Sequence, residues 1–76
     1  MDIGTRELLK DLRAEGYRVD SSYLAYLLRD DWIAEPERVP GGAFIWGDGD
    51  IQRVKSILHR RGRGPGDADR WKGNGR

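Results

Sequence analysis

The chain has 76 residues, with 14 Lys or Arg, 13 Asp or Glu, one His and no cysteine. A chain this short forms one domain with a small core, since only about 60% of the unfolded surface is buried at this size. The lack of cysteine excludes disulfides and thiolate metal clusters, and the single His59 argues against a zinc site. No apolar run approaches the roughly 18 residues of a membrane span, so the sequence predicts a cytoplasmic protein with no membrane partner.

The charge is distributed unevenly along the chain. Residues 1–37 contain five basic and nine acidic residues, a net charge of −4, whereas residues 38–76 contain nine basic and four acidic residues, a net charge of +5. Such polarity is typical of a chain whose second half faces a polyanion. A pair of solvated faces with no partner would give the same count, and charge alone does not separate the two interpretations.

Two helices are predicted in the first half. Thr5 is a candidate N-cap for a first helix that ends near Ala14 or Glu15, and Gly16 suits the left-handed position after it. Asp20 is the candidate N-cap of a second helix that continues to about Asp30. Leucines give both helices a core face, and Trp32 and Ile33 follow as predicted core anchors. Two helices with a short link are typical of a helix-turn-helix.

A hairpin and a third helix are predicted in the second half. Val39 and residues 43–46 flank the turn Pro40-Gly41-Gly42, which favours two short strands ending in the core residue Trp46. Residues 34–40 otherwise read as irregular chain. Gly47 or Asp48 caps the third helix, which ends at Gly62. The apolar stripe of this helix consists of Ile51, Val54, Ile57 and Leu58.

The last segment, residues 63–76, reads RGPGDADRWKGNGR. Its glycine, proline and charge content predicts a flexible basic tail rather than packed structure. The predicted domain boundary therefore divides the chain into a folded unit, residues 1–62, and a tail, residues 63–76. The fold class expected for the folded unit is α+β, a small winged helix-turn-helix: helix, helix, two-stranded wing, helix.

Two stretches resemble a known family. VDSSYLAYLLRDDWI, residues 19–33, is similar to the second helix of MerR-like and excisionase-like winged helix-turn-helix domains. The matching positions are Val19, Leu24, Tyr26, Arg29 and Ile33. GGAFIWGDGDIQRV, residues 41–54, is similar to the family's wing followed by an aromatic residue, a cap and acidic residues. The matching positions there are Gly42, Trp46, Asp48, Asp50 and Ile51.

The resemblance implies binding of double-stranded DNA, with the second helix in the major groove and the wing on an adjacent groove or the backbone. The helix positions that it implies for DNA contact are Ser21, Ser22, Tyr23, Ala25, Tyr26 and Arg29. Tyr26 matches the family's backbone-contacting tyrosine. The long dimerisation helix of full MerR regulators is missing, which favours the shorter excisionase-like arrangement or a small regulatory factor, with no small-molecule effector. Another protein, or further copies bound side by side on the DNA, would be additional partners.

Cationic and glycine residues extend this predicted interface. Arg18 precedes the second helix, and Arg38 with Gly41 and Gly42 forms the wing, where glycine permits close approach to phosphate. On the third helix, the basic residues outside the apolar stripe, together with Arg63 and the tail, are candidates for tracking a DNA backbone: Arg53, Lys55, Arg60 and Arg61. Each of these residues has a plainer interpretation as ordinary surface or loop.

A different class of function remains open. The family often has Arg where this chain has Ser22, Ala25 and Phe44, and carboxylates lie near the second helix at Asp20, Asp30 and Asp31. These departures favour the alternative of a winged-helix protein-interaction module that does not bind DNA. No set of residues suggests a catalytic triad, a calcium loop or a cofactor site, so no enzyme is predicted.

Overall fold

A computed structural model of the protein describes residues 2–67 and contains three helices and a two-stranded antiparallel sheet. In chain order the elements are α1 (Thr5–Ala14), α2 (Ser21–Arg29), β1 (Glu37–Arg38), β2 (Phe44–Ile45) and α3 (Asp48–Arg60). The order helix, helix, hairpin, helix confirms the predicted α+β winged helix class.

The ends of α1 and α2 follow from local chemistry. Asp20 caps α2, because its Oδ1 accepts the backbone N–H of Tyr23 at 2.8 Å. Gly16 ends α1 with a φ of 101°, a left-handed value that costs glycine no Cβ clash. Asp31 follows α2 with a φ of 62°, and Asp is one of the few residues that tolerate this conformation.

The start of α1 differs from the prediction. Gly4 rather than Thr5 is the N-cap, and Gly4 offers no side chain to the helix. The Thr5 hydroxyl instead accepts the indole N–H of Trp46 at 2.9 Å. The expected cap is wrong because a buried indole needs a hydrogen-bond acceptor, and Thr5 is the residue that supplies it.

The hairpin begins earlier than expected. β1 pairs with β2 in the register Glu37 to Ile45 and Arg38 to Phe44, inside the stretch predicted to be irregular. The turn beyond them closes with the Val39 N–H on the Ala43 carbonyl at 2.8 Å. Residues near the N-terminus lengthen this sheet, since Ile3 and Trp46 exchange two backbone hydrogen bonds of 3.0 and 2.8 Å. This extra pairing ties the wing to α1, and a two-stranded ribbon is only marginally stable without such support.

The core lies between the three helices and the base of the wing. Its central members, which are almost fully buried, are Leu8, Leu12, Leu24, Leu27, Trp46, Val54 and Leu58. The predicted core position of Trp46 is therefore confirmed. The same prediction for Trp32 is wrong, because this side chain is 48% exposed.

The predicted boundary between domain and tail is too early. Residues 63–67 pack on the domain: the Arg63 N–H donates to the Leu58 carbonyl at 2.8 Å, and Asp67 is only 4% exposed. The Asp67 carboxylate accepts the Gly64 N–H at 2.8 Å and lies 3.1 Å from His59 Nδ1. Composition suggested disorder, but a local turn satisfies this carboxylate. The rest of the predicted tail, residues 68–76, lies outside the described residues.

Candidate nucleic-acid interface

The outer side of α2 is small and exposed. Ser21, Ser22, Ala25 and Arg29 all have exposed side chains, and they share one side of the helix because residues three or four apart are neighbours on its surface. The opposite side carries the buried Leu24 and Leu27. The structure therefore leaves the side of α2 that the sequence assigned to DNA open, with only one charged residue, Arg29, on it.

Tyrosine and arginine side chains meet on one flank of this outer side. The Arg61 guanidinium donates from Nε to the Tyr23 hydroxyl, and from Nη2 to the Tyr26 hydroxyl at 3.3 Å. The Cζ of Arg61 lies 4.5 Å from the ring centroid of Trp32. The Cζ of Arg63 lies 3.7 Å from the ring centroid of Tyr23. Both distances suit a cation over an aromatic face. We call these five residues (Tyr23, Tyr26, Trp32, Arg61 and Arg63) the aromatic–arginine cluster.

The hydrogen bonds in this cluster determine what the tyrosine hydroxyls present to solvent. Tyr26 accepts from Arg61 and also from the Trp32 indole N–H at 3.2 Å. Guanidinium and indole groups are donors only, so Tyr26 must act as acceptor in both bonds. Its own hydrogen then remains to be donated outward, to an acceptor such as a phosphate oxygen. Tyr23 accepts from Arg61 in the same way.

The same contacts stabilise the protonated form of Arg61. The hydrogen bond to Tyr23 is the largest of the effects that raise the pKa of Arg61, and desolvation by burial opposes it. Arginine is already protonated at any physiological pH. The cluster therefore keeps its positive charge at every physiological pH.

Arg18 joins the link before α2 to the end of α3. Its guanidinium donates to the Gly62 carbonyl, and its backbone N–H donates to the Arg63 carbonyl at 2.8 Å. Arg63 returns a hydrogen bond from Nη1 to the Arg18 carbonyl at 2.9 Å. Arg18 therefore holds two elements together, and a phosphate contact from its remaining donors stays a prediction.

The wing has an open tip and an ordered arginine. Arg38 lies in β1 with its Cζ 4.4 Å from the Phe44 ring centroid, and it donates to the Gly42 carbonyl at 3.1 Å. It also lies 3.5 Å from a carboxylate oxygen of Glu35. Gly41 and Gly42 are exposed, and a Cβ added at either would meet nothing within 4 Å. The tip is thus free to approach a large partner.

Sequence reasoning missed a second cationic flank, on α1. Arg6, Lys10 and Arg13 are exposed and recur at helical spacing, and with Ser21 of α2 they line a shallow groove of about 530 Å³. We call these three residues the α1 basic stripe. Glu7 and Asp11 of α1 border this stripe, since they line a neighbouring groove together with Arg6 and Lys10. Glu15, which follows α1, pairs with Lys55 of α3 at 3.0 Å. The signal was present in the spacing, but a net charge summed over residues 1–37 concealed it.

Arg60 and Arg61 face different surfaces. Successive residues of an α-helix point about 100° apart. Arg61 therefore reaches the tyrosines of α2, whereas Arg60 is exposed beside a separate groove between α3 and the loop after α2. The sequence placed both among the basic residues predicted to track a DNA backbone. The structure leaves only Arg61 beside α2.

No protein-family model, curated protein or solved structure matches the chain. The resemblance to MerR-like and excisionase-like domains therefore stays a prediction. Among residues 2–67, no group of three or more His, Asp or Glu side chains could hold a metal ion, and no helix is long and apolar enough to cross a membrane.

Proposed function

We propose that the chain binds double-stranded DNA as a small excisionase-like or transcriptional regulatory factor. In this proposal α2 lies in the major groove and the wing lies on the adjacent backbone or groove. The observation that carries the proposal is the arrangement around α2: a small, nearly uncharged outer side with cations on both flanks. The α1 basic stripe forms one flank and the aromatic–arginine cluster forms the other.

The dimensions of DNA support this arrangement. A helix with its side chains is about 10–12 Å across, and the major groove is about 12 Å wide with a row of phosphates along each edge. Cations on both flanks of an inserted helix would lie where those phosphates run. Phosphate contacts of this kind fix the orientation of a protein on the duplex.

Base reading by this helix would depend on few groups. Arg29 is the one long cationic side chain on the outer side of α2, and Arg pairs with the guanine edge. Ser22 can contact several base edges, and the Ala25 methyl suits a thymine methyl. With one such Arg, worth about 1–3 kcal/mol of discrimination, most of the affinity would come from phosphates.

The carboxylates around α2 do not favour the protein-interaction alternative strongly. Asp20 is occupied as the helix cap, and Asp30 lies 3.4 Å from Arg29. Asp31 occupies the left-handed position that ends the helix. Helix capping, chain reversal and a local ion pair therefore account for these residues without an interaction partner.

The test is a titration of random-sequence duplex with the full chain, in which fluorescence anisotropy measures binding at about 50 and about 200 mM salt. If the protein makes six or more phosphate contacts, this rise in salt should weaken binding by about 10³-fold or more. Selection of preferred duplexes from a random pool would then give the site. No binding to any duplex at low salt, or binding that ignores salt, would refute the proposal.

A further inference from the structure

A second surface groove lies between α3 and the loop after α2. It encloses about 330 Å³ and has an apolar floor formed by Trp32, Ile33 and Ile57. Its rim is cationic, with Arg53 and Arg60 of α3, and no carboxylate is among the described residues that line it. We call this surface the Trp32 groove. Trp32 also belongs to the aromatic–arginine cluster, but the DNA-binding proposal uses neither the rest of the floor nor the rim.

The Trp32 ring is ordered, yet the described residues leave much of its surface exposed to solvent. At 48% exposure it is the one exposed large hydrophobic side chain in residues 2–67. Arg61 lies over its ring, and its indole N–H is already donated to Tyr26 at 3.2 Å. The ring is therefore held in place with its polar atom satisfied, which leaves carbon surface to be covered. An ordered aromatic anchor loses little conformational freedom on binding and is typical of interface hot spots.

The rim adds a charge requirement. The side chain of Arg53 is 64% exposed although it lies 3.3 Å from Asp50, and Arg60 is exposed about two turns further along α3. Guanidinium groups suit carboxylates, which they bind in a planar, two-point geometry. An occupant that covers Trp32 would thus gain most if it placed Asp or Glu beside its apolar group.

Within residues 2–67, a second copy of this chain offers no surface that fits the groove. A symmetric pairing of two Trp32 grooves would bring Arg53 and Arg60 against the same residues of the other copy, and like charges repel. An asymmetric pairing needs an exposed apolar side chain elsewhere on the partner copy. The described residues offer none besides Trp32.

Duplex DNA does not fit the floor either. Phosphates and sugars would meet the two arginines but would leave the carbon surfaces of Trp32, Ile33 and Ile57 without an apolar partner. Stacking on Trp32 would require a base to leave the duplex, which costs the free energy of its pairing and stacking.

We propose that the Trp32 groove binds a short segment of another protein in which an aromatic or aliphatic side chain is flanked by carboxylates. The apolar side chain covers Trp32, and the carboxylates pair with Arg53 and Arg60. The protein would then contact DNA through α2 and a protein partner through α3. Binding at this groove does not depend on whether the α2 surface binds DNA.

The test selects binders of the immobilised full chain from a displayed library of short random peptides. Fluorescence anisotropy with labelled synthetic copies of the enriched peptides then measures their affinity. We expect the enriched peptides to share an apolar residue beside Asp or Glu. Arg53→Glu should weaken their binding by about tenfold or more, as loss of a hot-spot pair does. Peptides with Lys in place of the acidic residues should bind R53E better than they bind the unaltered chain.

Lys10→Glu is the matched control, because it makes the same charge change at an exposed helix position on the α1 basic stripe. It should leave peptide binding unchanged, whereas Arg53→Glu should leave duplex binding unchanged. Trp32→Ala should also abolish peptide binding, and circular dichroism of both arginine and tryptophan variants checks that the fold persists.

Three outcomes would overturn the inference. One is enrichment of peptides that lack the apolar–acidic pattern or that bind R53E and W32A as well as the unaltered chain. Another is a loss of duplex affinity in R53E equal to that in K10E, which would make the groove part of the DNA surface. The third is self-association of the chain that Trp32→Ala removes, which would make a second copy the occupant.

Discussion

The two flanks of α2 present positive charge in different ways. On the α1 basic stripe, Arg6 and Lys10 extend into solvent from a helix surface, and only Arg13 is held, through Nε on the Val19 carbonyl at 3.0 Å. In the aromatic–arginine cluster, Arg61 is fixed by two hydroxyls and three rings. The first flank therefore offers exposed charges on long side chains, and the second offers two cations and two hydroxyl groups in set positions.

This difference predicts different contributions to DNA binding. Exposed cations on long side chains attract any phosphate backbone and mainly set the salt dependence. Preordered donors lose less freedom on binding and favour a particular register of the duplex. The variants below compare the two flanks, in order of decreasing effect on affinity.

The largest loss is expected from charge reversal on the α1 basic stripe. Arg6→Glu with Lys10→Glu should weaken duplex binding by about 100-fold or more at low salt and reduce the salt slope by about two, since each lost phosphate contact reduces it by about one. The measurement is anisotropy at several salt concentrations. Both side chains are exposed, so the thermal unfolding midpoint should hardly change.

The single variants Lys10→Glu and Arg53→Glu calibrate this result. They carry the same charge change, but only Lys10 lies beside α2. If the two weaken DNA binding equally, net charge rather than position governs affinity, and the α1 basic stripe has no special role.

The next largest effect is expected at Arg61. Arg61→Gln removes the charge, whereas Arg61→Lys retains it but cannot bridge the hydroxyls of Tyr23 and Tyr26 in fork geometry. If binding requires the guanidinium to be held in its fixed position, both variants should bind duplex DNA about tenfold more weakly. Titrations with one duplex decide the point. A Lys variant that binds like the unaltered chain would show that charge alone acts here.

A smaller loss is expected from Tyr26→Phe. The ring and its packing remain, but the outward hydrogen disappears and the Trp32 indole loses its acceptor. Affinity should fall about three- to tenfold, as expected for one hydrogen bond of about 1 kcal/mol. Tyr17→Phe is the matched control, because Tyr17 is buried and its hydroxyl lies 3.2 Å from His59 Nε2 instead of bonding within the aromatic–arginine cluster. Equal losses in the two variants would contradict a phosphate role for Tyr26.

The smallest loss is expected at the wing. Arg38→Ala removes a cation that Glu35 already partly balances and that the Phe44 ring holds against the hairpin. We expect a loss of about two- to threefold, within the range of exposed ion pairs. Titration against a duplex long enough to reach the wing provides the measurement. A loss larger than that of R61Q would place the wing above the cluster in importance.

Local signals were sufficient to predict which elements form, whereas the positions on the outer side of α2 were implied by the family resemblance. Asp20 as cap, Gly16 as helix end and the leucine spacing are short-range features, and they fix where α1 ends and where α2 begins. The hairpin was placed by its Pro-Gly-Gly turn. The strand positions were harder, because Glu37 and Arg38 have no apolar alternation and pair only in the folded chain.

Long-range contacts account for the errors at the candidate site. Trp32 was expected in the core because an aromatic residue after a helix usually packs inward, yet Arg61, distant in sequence, covers one side of it at the surface. The α1 basic stripe required sorting charges by helix face rather than by chain half. Asp67 was assigned to the tail by composition, which contains no information about its contact with His59.

The contrast between Trp32 and Trp46 gives the protein an optical reporter of its own. Indole emission shifts with solvent and neighbouring charge, so Trp32, which touches both the cluster and the groove, should change its fluorescence when either surface is occupied. Trp46 is fully enclosed and should emit constantly, as an internal reference. With Trp71 replaced by Phe, a native spectrum would follow duplex and peptide titrations without any attached dye.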